Sequence, residues 1–143
     1  MVQLGTRVTN AVTVRAATNA DGERIGWLSW QAGFTIDDLD WSVVEPNWLV
    51  AERDGRVIGA VQMCPGKPIG RLELLSIEHA LPHYTKGRVV RALLYAGCRV
   101  LRSLGAQFVS GMVIPEREGF CDILEARGVR KLTTGNIYLL KVR

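Results

Sequence analysis

The fold is decided by residues 71–105, RLELLSIEHALPHYTKGRVVRALLYAGCRVLRSLG. Arg71–Glu78 predicts a short apolar strand, His79–Thr85 a crossing segment, and the remainder a long helix from about Lys86 to Leu104. The first amides of a helix lack partners and its dipole adds partial positive charge, so a strand that runs into a helix start favours anions. The sequence therefore predicts an anion-binding site near Lys86, Gly87 and Arg88.

The long helix has one apolar face and one polar face. Helical spacing places on the apolar face Val90, Leu93, Gly97, Val100, Leu101 and Leu104. The opposite face carries a narrow arginine stripe, which consists of Arg88, Arg91, Tyr95, Arg99 and Arg102. A glycine inside a helix costs about 1 kcal/mol relative to alanine, so Gly97 predicts the close approach of another backbone, that of a sheet.

Length and composition are those of one globular domain over residues 1–143, with residues 1–10 as a loose arm. Hydrophobic residues make up 48% and charged residues 22% of the chain, which is normal for a soluble protein. No apolar run reaches the roughly 18–20 residues of a membrane span, and no signal peptide pattern opens the sequence. The sequence predicts a soluble, cytoplasmic protein without a membrane partner.

The cysteines and histidines argue against disulfides and metal sites, but the net charge leaves the class of binding partner open. The three cysteines, Cys64, Cys98 and Cys121, are far apart and form no C-x-x-C pair, which argues against disulfides and a zinc site. His79 and His83 also lack ligand spacing, so we expect no metal. The net charge of +4 permits an anionic partner, and nucleic acid, a coenzyme and an acidic protein all stay open.

The whole chain predicts elements in the order β-α-α-β-β-β-α-β-α-β. Asp54-Gly55 is a strong hairpin signal between two strands, so three strands in succession form an antiparallel meander. The strand after the long helix should lie parallel to the central strand. The other predicted elements are a strand at 12–16, a helix from Thr18 to Gly33, a short helix from Thr35, strands at 48–53, 56–63 and 106–114, a helix at 117–127 and a strand at 136–142.

This order resembles the GNAT family of acetyl-CoA-dependent N-acetyltransferases, from about Val12 to Val142. The resemblance implies an α/β (α+β) single domain with a mixed central sheet, an antiparallel meander, a splayed pair of parallel strands and flanking helices. It further implies acetyl-CoA as cosubstrate, with its pantetheine arm bonded to backbone near Ser76 and Ile77. The coenzyme pyrophosphate would lie at the helix start, on Lys86, Gly87, Arg88, Val89 and Val90.

The family's glycine-rich pattern at that position, [QR]-x-x-G-x-[GA], is altered here. Thr85, Arg88 and Val90 stand at its three defining positions. A register shifted by one residue aligns Gly87 with the first glycine but puts Tyr84 at the Gln/Arg position. Glycines let a phosphate reach backbone amides that a side chain would block. The loop therefore either binds phosphate in altered form, helped by its basic side chains, or is degenerate.

Two glutamates are candidates for the base that deprotonates an ammonium acceptor. Glu73 precedes Ile77 by four residues, as the catalytic glutamate of some GNAT enzymes does, and alternation puts it on one strand face with Leu75 and Ile77. The competing interpretation is a strand glutamate that faces solvent or pairs with an arginine. Glu78, at the strand end, is the alternative base and could act through a water molecule. Leu124 stands where the family often has a tyrosine acid, which leaves Cys121 and Tyr84 as conceivable substitutes.

The resemblance thus implies an N-acetyltransferase that acts on an amine of a small molecule or protein. The alternative is a catalytically silent GNAT-like module whose arginine stripe contacts an acidic protein or nucleic acid. We expect the tryptophans at 27, 30, 41 and 48 to be mainly core, with one or two in an acceptor pocket. The acidic residues Asp37, Asp38, Asp40 and Glu45 could attract a cationic amine or form a solvated turn. Monomer and homodimer are both open.

Overall fold

The computed structural model describes residues 11–34, 37–111, 122, 124–126, 128 and 130. By its contacts the chain divides into two units, residues 1–111 and 112–143. The single domain over residues 1–143 stays a prediction. The loose arm at residues 1–10 and the strand at 136–142 lie outside the described residues.

The first unit contains a five-stranded sheet in the order β1-β2-β3-β4-β5. The strands are β1 (Thr13–Ala16), β2 (Trp48–Arg53), β3 (Arg56–Cys64), β4 (Ile69–Ile77) and β5 (Phe108–Gly111). Neighbours from β1 to β4 are antiparallel, and β4 and β5 are parallel. The meander and the parallel pair are as predicted. The splay of that pair would lie beyond Gly111, outside the described residues.

The hairpin between β2 and β3 forms where the sequence predicted it. Asp54 and Gly55 have positive φ angles of 53° and 74°. A two-residue turn with both φ angles positive matches the twist of antiparallel strands, and Asp-Gly is among the few pairs that tolerate it. The turn therefore sets the register in which Arg53 faces Arg56.

The two helices lie against opposite faces of the sheet. Helix α1 (Gly22–Gln31) covers a core cluster that includes Ile25, Leu28, Val50 and Ala60. Helix α2 (His83–Ser103) covers a second cluster that includes Ile58, Val61, Leu72, Val89 and Leu93. Alternating side chains of one strand supply both clusters, since Val50 faces α1 while Leu49 and Ala51 face α2.

The apolar face of α2 is buried largely as predicted, but two details differ. Leu104 follows the helix and is exposed. Gly97 is close to a side chain rather than to backbone, because a Cβ at Gly97 would lie 2.6 Å from Leu72 Cδ2.

The segment after α1 differs more from expectation. Residues 37–47 form turns and no α-helix, so the predicted second helix is absent from the described part of this segment. Asp40 Oδ1 accepts hydrogen bonds from the Ser42 amide at 3.0 Å and hydroxyl at 2.6 Å, and a local bond of this kind competes with helix formation. Trp41 then lies on α1, where a Cβ at Gly22 would be 1.5 Å from the Trp41 carbonyl oxygen.

The tryptophans are less buried than predicted. Trp48 is core, but Trp27 is exposed and Trp30 is 67% exposed, which corrects the expectation for these two. The Arg24 guanidinium lies 4.3 Å from the Trp27 ring centroid, a cation–π contact that keeps one face of the ring covered.

In the second unit, Asp122, Leu124 and Glu125 are helical, within the predicted helix at 117–127. The Gly128 amide donates to the Glu125 carbonyl at 3.1 Å, and its φ of 85° is the left-handed conformation that ends a helix. Cys121 lies outside the described residues.

Candidate active site

The candidate site begins at a β-bulge in β4. Gln62 pairs with Glu73 and Ala60 with Ser76, so Leu74 and Leu75 together oppose Val61 alone. Leu74 has a φ of 52°, an uncommon conformation for a residue with a branched side chain. The extra residue shifts the alternation of side chains in the second half of β4.

The bulge changes which face Glu73 occupies. Leu75 and Ile77 pack on the α2 side, as does Leu72. Glu73 alternates with Leu72 and therefore lies on the α1 side. The prediction that it shares a face with Leu75 and Ile77 is wrong, because simple alternation fails across a bulge.

On the α1 side Glu73 has two polar neighbours. Arg71 Nη1 lies 3.4 Å from Glu73 Oε1, which is the arginine pair that the competing interpretation expected. The Cys64 thiol donates to Glu73 Oε2 at 3.9 Å. Burial raises the pKa of the Cys64 thiol, and the Glu73 carboxylate raises it further, so the thiol keeps its proton at neutral pH.

Glu78 is enclosed by two arginines. Its side chain is 6% exposed, and Oε1 accepts from Arg24 Nη2 at 3.1 Å and from Arg56 Nη2. Arg24 also donates through Nε to the Val57 carbonyl at 2.9 Å. The carboxylate thus ties α1 and β3 to the end of β4, a structural task that sequence reasoning missed. An acidic residue at the close of an apolar strand was its only sequence signal.

Ser76 and Ile77 end β4 next to this ion-pair cluster. Ser76 is fully buried, and its hydroxyl donates to the Leu74 carbonyl at 2.8 Å and lies 3.3 Å from the Ser29 hydroxyl of α1. Ile77 is half-buried and pairs with Gly59 of β3. The Ser76 side chain is therefore occupied within the fold, and only backbone groups of this pair are available for a ligand.

Helix α2 begins at His83, three residues before the predicted start. Pro82 precedes it, and the Lys86 amide donates to the Pro82 carbonyl at 3.0 Å. The amides free of helical bonds are therefore those of His83, Tyr84 and Thr85, rather than those near Lys86, Gly87 and Arg88. The helix start carries the predicted kind of anion-attracting group, but one turn earlier.

The remaining predicted coenzyme contacts lie within the helix. The side chains of Val89 and Val90 are buried in the core. Gly87 faces open space, since a Cβ there would meet no heavy atom within 4 Å. Lys86 and Arg88 are half-buried, and Arg88 lies 5.9 Å from the Tyr84 ring centroid.

A small cavity of about 80 Å³ lies on the same face as Glu73. Among its walls are Trp41 and Trp48, whose ring centroids are 5.5 Å apart, and Asp40. Gln62 also lines it, and Gln62 is the cross-strand partner of Glu73. A second, more open cavity of about 510 Å³ lies between the end of α2 and β5, and none of the candidate site residues lines it.

The described residues contain no cluster of three or more His, Cys, Asp or Glu side chains that could hold a metal ion. Within the same residues, no helix is long and apolar enough to cross a membrane.

Comparisons with known proteins point to one fold class. No protein-family model matches the sequence, and no curated protein matches it. The aminoglycoside N-acetyltransferase AAC(6')-Iy, solved in complex with CoA, is similar in structure with a TM-score of 0.72 and 17% identity, over 92% of this chain and 96% of that chain. Rv2747 from Mycobacterium tuberculosis, solved in complex with CoA and NLQ, has a TM-score of 0.69 and 17% identity, over 88% of this chain and 76% of that chain.

A third similar structure is a Trypanosoma brucei acetyltransferase, with a TM-score of 0.64 and 17% identity over 91% of this chain and 100% of that chain. The chain therefore has the fold of the GNAT acetyltransferases, which confirms the fold that the sequence predicted.

Proposed function

We propose that this protein is an acetyl-CoA-dependent N-acetyltransferase that moves an acetyl group to an amine of a small molecule or protein. The observation that carries the proposal is the junction between β4 and α2, where a bulged strand runs through a short connection into a helix start with free amides. The fold supports it, since similar structures include proteins solved in complex with CoA.

In this proposal the coenzyme spans the junction. Its pantetheine arm bonds to backbone groups near Ser76 and Ile77. Its pyrophosphate lies at the start of α2, near Lys86, Gly87 and Arg88. The altered glycine pattern is compatible with this because the free amides belong to residues 83–85, which lie ahead of Val89 and Val90. The charges of Lys86 and Arg88 add to the attraction of the helix dipole.

Glu73 is the proposed base, and Arg71 and Cys64 hold its carboxylate in place. The carboxylate takes a proton from the ammonium form of the acceptor, and the free amine attacks the thioester carbonyl carbon. The nitrogen then releases a second proton to solvent and the carbon–sulfur bond breaks, which gives the acetylated amine and the CoA thiolate, and the thiolate takes up a proton. Leu124 cannot supply that proton, so the proposal assigns it to solvent. Glu78 has a structural role in this proposal, since its carboxylate is already paired with two arginines.

The acceptor amine would approach past the cavity that Gln62 lines, because Gln62 lies beside Glu73. Asp40 at its rim stays ionised, since hydrogen bonds from the Ser42 hydroxyl and amide lower the pKa of its carboxyl group. A cationic amine would be attracted by this carboxylate and could rest against the Trp41 and Trp48 rings.

The test is calorimetric titration with acetyl-CoA and CoA of two variants at one position. His83→Ala removes the side chain but keeps the amide, whereas His83→Pro also removes the amide. Proline fits the first helical position, so α2 should remain intact. We expect His83→Pro to weaken coenzyme binding about tenfold relative to His83→Ala, the loss of one charged hydrogen bond.

A Lys86→Ala/Arg88→Ala variant should weaken coenzyme binding further, and Glu73→Gln should abolish acetyl transfer while leaving coenzyme affinity unchanged. Circular dichroism checks that each variant keeps its helix. Absence of binding at millimolar acetyl-CoA would refute the proposed enzymatic function. Equal coenzyme affinity of the two His83 variants would show that the amide at the helix start does not bind the coenzyme.

A further inference from the structure

The charged side chains of helix α2 are all positive. Its 21 residues include four arginines and one lysine but no aspartate or glutamate. None of the four arginines forms an ion pair with a described acidic residue. Elsewhere in the first unit Arg15, Arg24, Arg56 and Arg71 are paired with carboxylates, whereas Arg53 forms no ion pair with a described residue. The positive charge of α2 is therefore left uncompensated by the described part of the chain.

The arginine stripe is also longer than the sequence suggested. Because α2 begins at His83, Tyr84 joins the helix and falls on the same face. From Tyr84 to Arg102 the stripe spans about 27 Å at about 1.5 Å per residue, within a sector of about 80°. Tyr84 is 78% exposed and Tyr95 is 65% exposed, so two aromatic rings stand among the arginines in solvent.

Proteins bind single-stranded nucleic acid with surfaces on which arginines and exposed aromatic rings lie along one line. Arginines neutralise the phosphates, and rings offer faces on which bases stack regardless of sequence. An acidic protein would use the charges but has no need of the rings. A duplex hides its bases from stacking, which leaves Tyr84 and Tyr95 without a role.

We propose that the arginine stripe, extended by Tyr84, binds single-stranded nucleic acid without sequence preference. Phosphates contact Arg88, Arg91, Arg99 and Arg102, and bases stack on the two tyrosine rings. Arg88 and Tyr84 lie at the start of α2, which is also the proposed coenzyme site, whereas Arg91, Tyr95, Arg99 and Arg102 belong to the stripe alone.

The test is fluorescence anisotropy with a labelled 12-nucleotide single strand of mixed sequence, measured over a range of salt concentrations. Four phosphate contacts predict that log K falls with log salt at a slope of about −2.8, since each contact on a single strand contributes about −0.7. An Arg91→Gln/Arg99→Gln variant should reduce the slope to about −1.4. Tyr95→Ala should weaken binding about 5- to 150-fold at an unchanged slope.

Arg53→Gln is the matched control, because Arg53 ends β2 and lies off the stripe. It should leave both affinity and slope as they are. The Arg91, Arg99 and Tyr95 variants should bind acetyl-CoA like the parent protein, which separates this proposal from the coenzyme site.

Several outcomes would overturn the proposal. One is the absence of binding at low salt, and another is an Arg53→Gln effect equal to that of the stripe variants. Binding of a 12-base-pair duplex as tight as that of the single strand, or equal competition by polyglutamate, would remove single-stranded nucleic acid as the partner.

Discussion

Replacement of Gly87 by alanine distinguishes two possible roles of this residue. It is either an ordinary residue inside a helix or a glycine that a phosphate-binding loop requires. In the structure Gly87 is the fifth residue of α2, and the Lys86 amide before it is already in a helical hydrogen bond. An added Cβ meets no heavy atom within 4 Å. Alanine should therefore be accepted without any rearrangement.

The expected gain follows from helix propensity. Alanine is favoured over glycine in a helix interior by about 1 kcal/mol, partly because glycine makes the unfolded chain more flexible. For a chain of this size, that gain corresponds to a rise in Tm of about 3–5 °C. Coenzyme affinity should be unchanged, because the free amides lie at residues 83–85.

The measurements are thermal unfolding followed by circular dichroism and calorimetric titration with CoA. Gly97→Ala is the internal control, since the same change on the buried face of α2 puts a Cβ 2.6 Å from Leu72 Cδ2. Crowding there should cancel the propensity gain, so its Tm should not exceed that of the parent protein. A Gly87→Ala variant with a lower Tm would refute the helical assignment of residues 83–87, whereas CoA affinity reduced tenfold or more would show that a phosphate closely approaches the backbone at Gly87.

Three further predictions concern the packing around the site. Gly22→Ala should unfold at a denaturant midpoint well below that of the parent, since its Cβ would lie 1.5 Å from the Trp41 carbonyl oxygen and crowding of this kind costs about 1–3 kcal/mol or more; an unchanged midpoint would show that Trp41 lies elsewhere. Glu78→Gln should lose about 1.5–3 kcal/mol of unfolding free energy, the range for hydrogen bonds to charged groups, because the two arginines that it leaves unpaired are partly exposed; a change that affected only kcat would contradict its structural role. The Asp21 carboxylate, paired with Arg15, has a pKa below its ordinary 3.8, so its contribution to stability is complete above about pH 4 and is lost as the pH falls below that value. Asp21→Asn should flatten the acid side of a plot of unfolding free energy against pH. An unchanged acid side would contradict the stabilising role of the ion pair.

Local signals in the sequence explain what could be predicted. Asp54-Gly55 determined a hairpin because few residue pairs tolerate its two positive φ angles. The faces of α2 followed from a helical period that its many apolar residues repeat. The helix start at His83 had a signal as well, since Pro82 is suited to the beginning of a helix. The sequence analysis nevertheless assigned His79–Thr85 to a crossing segment, so the predicted helix began one turn too late.

Other features had no local signal. Leu74 adopts a positive φ that leucine rarely adopts, so nothing in the residue type announced the bulge that moved Glu73 to the other face. The prediction of a short helix in the acidic segment was wrong because an aspartate such as Asp40 can either begin a helix or accept a local hydrogen bond, here from Ser42. The link from Glu78 to Arg24 joins residues 54 positions apart, a pairing that only the folded chain makes evident.

The contact of Trp41 with α1 has a consequence for how the small cavity would receive a ligand. Gly22 and Gly26 leave room for Trp41 to lie directly on the helix, so this wall of the cavity is assembled when the chain folds. Ordering a flexible segment on binding would cost about 1–2 kcal/mol for each residue fixed. Here that entropy is lost during folding, and an amine that entered the cavity would meet a preformed wall and keep more of its own contact energy as affinity.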